Sequence, residues 1–218
     1  MAMRGQIVVR TRYAEDAVAA ARRAGVTRYV ILGAGLDTFA LRQPAPPLEV
    51  VEIDHPATQR WKQQLLRKSG FTLPPALTFL PVDFERSSLR DQWIENSAPD
   101  FISWLGTTYY LSHDGITNTL EALAECAEPG SQLVLDYWRE PPRGVTNPLL
   151  LGTRIAVAAQ GEPMHSFFAP AEIEQLAVTT GWRVKEHCTP SEQTRRYLAE
   201  RKDRLSVPSF AYLLRLEK

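Results

Sequence analysis

The chain has 218 residues, 44% of them hydrophobic and 23% charged, which fits one globular domain large enough for a well-buried sheet. Its 25 basic and 25 acidic side chains cancel, so no net charge points to nucleic acid or an anionic membrane as partner. No apolar run approaches the ~20 residues that span a bilayer, the opening MAMRGQIVVR lacks the apolar core of a secretory signal, and Cys126 and Cys188 have no metal-ligand spacing; a cytoplasmic protein with reduced thiols and no metal is expected.

In chain order, the alanine-rich DAVAAARRAG predicts a helix over 16–25 closed by Gly25. A short strand over 29–32 follows, then a helix start over 36–41 cut short by Pro44, Pro46 and Pro47. A strand over 48–53 leads to a helix over 56–69 with Pro56 near its first position. Strands are predicted over 77–82 and, behind Pro99 and Asp100, over 101–105. Ile116, Leu120 and Leu123 recur at helical spacing over 114–128, with Ser112 as cap and Pro129-Gly130 as stop. QLVLDY is a strand over 132–137, and the long connection after it holds a helix within 147–160. A helix over 170–180, a strand over 184–188, a charged helix over 192–203 and a strand over 210–216 complete the pattern. Strand and helix alternate, which predicts an open α/β sheet with helices on both faces. Ligands of such sheets sit at the carboxyl ends of the strands, where the strand order switches.

Gly33-Ala34-Gly35 directly follows the first strand. Glycine there allows a sharp turn and a close approach of a ligand to the backbone; an ordinary tight turn is the plain alternative. The third glycine of the dinucleotide fingerprint is replaced by Thr38, and no phosphate-binding G-x-x-x-x-G-K motif is present. Asp37 beside the glycines would repel a pyrophosphate. Asp54 ends the next strand, where a carboxylate can accept from both hydroxyls of a ribose, and Glu52 lies near the same edge. Asp83 and Phe84 follow the third strand, where an acid can accept from an adenine amino group and an aromatic can pack on the ring; capping of a short helix by Asp83 is the alternative. This order of glycine loop and acids suits a nucleoside without phosphates that carries a cation, as S-adenosyl-L-methionine does.

The segments RTRYAEDAV, VILGAGLDTFALR, VVEIDHPATQRWK, LPVDFE, SWLGTTYYLS and PGSQLVLDY resemble the leucine carboxyl methyltransferase superfamily. The nearer branch holds microbial S-adenosylmethionine-dependent methyltransferases, among them polyketide carboxyl O-methyltransferases of the tetracenomycin type. The resemblance implies a class I, Rossmann-like methyltransferase fold over residues 1–218, with a seven-stranded mostly parallel sheet. It implies that Arg10, or Arg12 at a looser spacing, meets the cofactor carboxylate, that Gly33, Ala34, Gly35 and Asp37 lie along its methionine part, that Asp54 holds the ribose, and that Asp83 and Phe84 frame the adenine. Two departures stand out. Only nine residues precede Arg10, where relatives carry a longer helical cover, so a shortened or partner-completed site is expected. Leu105 stands where some relatives place a cofactor-contacting Glu, so the amino group is left to backbone carbonyls or to nothing.

Methyl transfer from a sulfonium asks mainly for alignment and exclusion of water. A carboxylate acceptor needs no general base, whereas a phenol or amine does. Tyr109, Tyr110 and His113 are the pocket candidates, with Asp136 and Tyr137 nearby, and none is assigned as a base. His113, beside Ser112, reads as a capping-region residue, and the two tyrosines as pocket walls. His165, Phe167 and Phe168 lie in a connection of the kind that forms substrate walls or an ordinary packed loop. The expected function is O-methylation of a carboxylate or phenol on a small natural product. The alternative is a degenerate cofactor-binding or assembly module without methyl transfer, and Thr38 disfavours a nicotinamide oxidoreductase. A homo-oligomer is left open.

Overall fold

Helix α1 (Ala2–Arg23) lays one face across the sheet and buries Val9, Tyr13, Ala14, Ala17, Val18 and Ala21 there. It starts 14 residues before the predicted 16–25, because residues of poor helix propensity such as Gly5 and Val9 are held by packing rather than by local preference. Gly25, at φ +101°, closes it as expected. The computed structural model describes residues 2–43, 45–94, 98, 100–141 and 144–218; Pro44 and Pro99 lie outside the described residues.

Seven strands form one sheet: β1 (Arg28–Leu32), β2 (Glu49–Asp54), β3 (Leu77–Pro81), β4 (Asp100–Trp104), β5 (Gln132–Trp138), β6 (Arg183–Cys188) and β7 (Ala211–Glu217). Their spatial order is β3-β2-β1-β4-β5-β7-β6. The pairs from β3 through β5 are parallel, and β7 runs antiparallel to both β5 and β6. The helices between strands are α2 (Phe39–Arg42), α3 (Pro56–Lys68), α4 (His113–Cys126), α5 (Pro148–Ala158), α6 (Pro170–Thr179) and α7 (Pro190–Tyr197). α7 stops six residues short of the predicted 203. No described helix is long and apolar enough to cross a membrane.

Strand alternation builds two cores. Val30, Leu32, Ile102, Trp104, Leu133 and Leu135 face Ile116, Leu120 and Leu123 of α4 and Ile173 of α6. Tyr29, Ile31, Val50, Phe101 and Val134 face the buried stripe of α1. Ser112 caps α4 by accepting from Gly115 N at 3.0 Å, as its sequence position predicts. The strand order reverses between β1 and β4, and a third cluster around Tyr109, Trp138, Leu150 and Phe210 covers the carboxyl end of β5 beside that crevice.

Candidate functional site

The glycine turn and the acid after β2 are joined. Gly35 N donates to Asp54 Oδ2 at 2.5 Å, and His55 N donates to Asp54 Oδ1 at 2.6 Å. The Asp54 residue is only 8% exposed. Burial pushes its carboxyl pKa up, and the two backbone donors pull it back down. A carboxylate has about four lone-pair directions; the backbone fills two, which leaves two for a pair of vicinal hydroxyls. Gly33 N donates to Ile53 O at 2.7 Å. Gly33 (φ +62°) and Gly35 (φ +48°) both hold left-handed backbone, and a Cβ on Gly33 would overlap the Thr107 hydroxyl. Ala34 is buried between them.

Asp37 does not face outward as a lone charge. Its Oδ1 accepts from Phe39 N at 2.6 Å and opens α2, so it shapes the turn. Asp83 Oδ1 accepts from Glu85 N at 3.0 Å, and Oδ2 lies 3.8 Å from His55 Nε2. Asp83 thus opens a turn over 84–86 rather than capping a helix, and it stands just past the carboxyl end of β3. Phe84 is buried with its ring centroid 6.1 Å from that of Trp104, which ties it to the core beneath the loop.

A second polar cluster hangs from α1. Arg10 donates from one terminal nitrogen to Tyr109 Oη at 2.9 Å and to Asp136 Oδ2 at 3.0 Å. Asp136 Oδ1 accepts from Gly106 N at 2.6 Å, and Gln6 Nε2 lies 3.4 Å from Oδ2. Gly106 is at φ +79°, and a Cβ there would strike the Arg10 guanidinium. Burial works against the Arg10 charge, but Asp136 and Tyr109 more than offset it and hold the guanidinium protonated. Arg12 points to solvent and pairs with Asp16 at 2.9 Å, so of the two arginines Arg10 is the one in this buried cluster.

Three sequence expectations change here. Glu52 is not at the ligand edge: it is buried against Lys62 Nζ at 2.5 Å, two residues lower on β2 under α3. Tyr137 is buried, and its hydroxyl meets His187 Nε2 at 2.6 Å near β6, away from the crevice. Asp136 does not face the crevice as a lone base: its carboxylate accepts from Arg10, Gly106 N and, at 3.4 Å, Gln6. Burial raises the Tyr109 and Tyr110 hydroxyl pKa values, so both stay protonated at neutral pH. His113 sits at the start of α4 and stacks on Phe168 at 4.5 Å. Leu105 packs toward the α1 core and presents no polar group. Gln6, Gly106 and Thr107 were not among the predicted site residues; GT after SWL was the one local hint for the last two.

A glycine turn joined to a buried acid at the switch point of a sheet in this order defines the class I, Rossmann-like methyltransferase fold. Residues 1–124 match the model of the leucine carboxyl methyltransferase family, and the chain belongs to that family. YktD of Bacillus subtilis, provisionally named an S-adenosyl-L-methionine-dependent methyltransferase, is 38% identical over 192 residues, covering 84% of this chain and 62% of its own. A Mycolicibacterium smegmatis relative with the same provisional naming is 31% identical over 196 residues, covering 85% of this chain and 62% of its own. The chain thus spans less than two thirds of the length of these relatives. Magnesium protoporphyrin IX methyltransferase from Synechocystis, solved with bound S-adenosylhomocysteine, shares the fold with a TM-score of 0.60 at 12% identity, over 97% of this chain and 84% of its own.

Proposed function

We propose that this protein binds S-adenosyl-L-methionine at the carboxyl edge of β1, β2 and β4 and methylates an oxygen of a small organic acid. The observation that carries the reading is Asp54, a nearly buried carboxylate fixed by Gly35 and His55 with two acceptor directions remaining. The donor set fits the cofactor: an acid for a ribose, a glycine turn for close backbone approach, and a protonated Arg10 with unused N–H groups for a carboxylate. Asp83 and Phe84 would border the adenine, and the cofactor, when bound, supplies an activated methyl group on a sulfonium.

The chain's own residues then bind, orient and exclude water. Arg10 is held in place by Asp136 and Tyr109, so its geometry is set before any ligand arrives. Tyr109 keeps its proton and cannot serve as a base at neutral pH. Asp136 is paired with Arg10 and held by Gly106 N, and His113 is stacked on Phe168. Without a ready base among these candidates, an acceptor that is already anionic, a carboxylate, suits the site best. Isothermal titration of S-adenosylmethionine into the whole chain, followed by mass spectrometry of candidate acids incubated with both, tests the reading. Binding with methyl ester formation is expected. Binding without transfer to any acid or phenol would favour the non-catalytic module, to which the apolar Leu105 lends some support, and absence of binding would end the cofactor reading.

A further inference from the structure

α4 and α6 run side by side on one face of the sheet, and a groove of about 980 Å³ lies between them. Its size is that of a small-molecule site. Its walls are Phe167, Phe168 and Leu176 on one side and His113 and Thr117 on the other, with Arg139 at the end of β5. His113 and Phe168 stack across the end of the groove, at 4.5 Å and 27° between ring planes; Phe168 is buried beneath, and the exposed imidazole of His113 supplies the aromatic surface. Phe168 N is held by Trp138 O at 3.0 Å and His165 N by Tyr109 O at 2.8 Å. The 165–168 segment is thus pinned between the groove and the Arg10 cluster.

The charges around this groove are accounted for with one exception. Glu140 pairs with Arg154 at 3.3 Å. Glu172 accepts from Ala169 N at 2.7 Å at the start of its own helix. Arg154 lies 4.7 Å from the Phe167 ring centroid. The Arg139 backbone is fixed by Phe210 O at 2.8 Å, yet its guanidinium has no hydrogen bond or ion pair among the described residues. It also borders a smaller depression of about 360 Å³ toward α5, which places the cation at the junction of the two. Arg139, a half-buried residue, beside the exposed His113 ring matches a flat organic anion: the carboxylate takes the paired N–H donors, and the ring system lies on His113 and Leu176.

We infer that the α4–α6 groove is a second ligand site, for a flat aromatic carboxylate held by Arg139. The inference is independent of methyl transfer, and its test reads binding alone. The probe is 2-naphthoate, with uncharged 2-naphthalenemethanol as its partner, each titrated calorimetrically into the full chain. The acid is expected to bind roughly tenfold or more tightly than the alcohol. Arg139→Gln should remove that preference, and Gln175→Trp, which fills the groove from its exposed α6 wall, should abolish binding of both. Equal binding of acid and alcohol by the parent protein would overturn the assignment without recourse to any variant. So would acid binding that survives Arg139→Gln or Gln175→Trp unchanged.

Discussion

Asp54 is an acid whose burial and hydrogen bonds oppose each other, with burial winning. Its pKa is raised in the folded chain, so the folded state takes up its proton more readily than the unfolded state. This side chain therefore favours the folded apo protein below its ordinary pKa and loses that contribution as pH rises through the raised value. Ligand binding has the opposite sign, because ribose hydroxyls donate to the ionised form. Cofactor affinity should weaken as pH falls through this raised pKa, above the ordinary aspartate value, and Asp54→Asn should flatten the profile. At neutral pH the same variant should bind about 10–100-fold more weakly by titration calorimetry, the loss expected for hydrogen bonds to a charge. Gly33→Ala meets both a left-handed φ and the Thr107 hydroxyl, so chemical denaturation should show a loss of about 1–3 kcal/mol together with lost cofactor binding. Gly25→Ala is its control. The φ there is +101° but nothing lies within 4 Å of the added carbon, so stability should fall while binding is kept.

At the level of elements, α1 couples the ends of the chain. A Cβ on Gly5 would overlap the Ser206 carbonyl, so the helix and the 206 segment touch backbone to backbone. In an open helix Gly→Ala gains about 1 kcal/mol. Here Gly5→Ala should reverse sign, and amide exchange should speed up over residues 2–12 first. Asp136→Asn leaves the Arg10 charge buried without its counter-ion, which typically costs about 3–5 kcal/mol; a denaturant melt of the variant measures it. These couplings explain what sequence could reveal. The strand alternation, the Pro56 and Ser112 helix starts and the Gly33–Asp54 relation are local or nearly so, and they were legible. The Arg10–Asp136 pair joins residues 126 apart, and no local pattern announces it. Glu52 shares the side of Asp54 by strand parity, but parity cannot say how far below the edge a side chain lies or that Lys62 waits there. The α7 end at Tyr197 was missed because the charged run beyond it satisfies itself locally, as Arg201 and Asp203 do at 2.5 Å.

For the whole molecule, the strand order gathers the proposed cofactor contacts on one edge, so ligand binding should report on the entire fold. A ligand at a hundred times its Kd adds about 2.7 kcal/mol of stability, which for a domain of this size is about 5–10 °C in Tm. S-adenosylmethionine should give that shift in a thermal melt, and a nicotinamide dinucleotide none. The family and the sheet could be read from motifs in their order, whereas the α4–α6 groove depends on how two helices settle and has no motif. The same strand order also constrains biosynthesis. β6 has one sheet neighbour, β7, and β7 in turn is what joins it to β5. β6 therefore leaves the ribosome with no strand to pair with, and the sheet becomes whole only when residues 211–217 insert between two strands already made. A nascent chain stalled before that point exposes the edge of β5 to chaperones or to other chains, so arrest at residue 205 should yield a protease-sensitive intermediate and the released chain of 218 residues a resistant one.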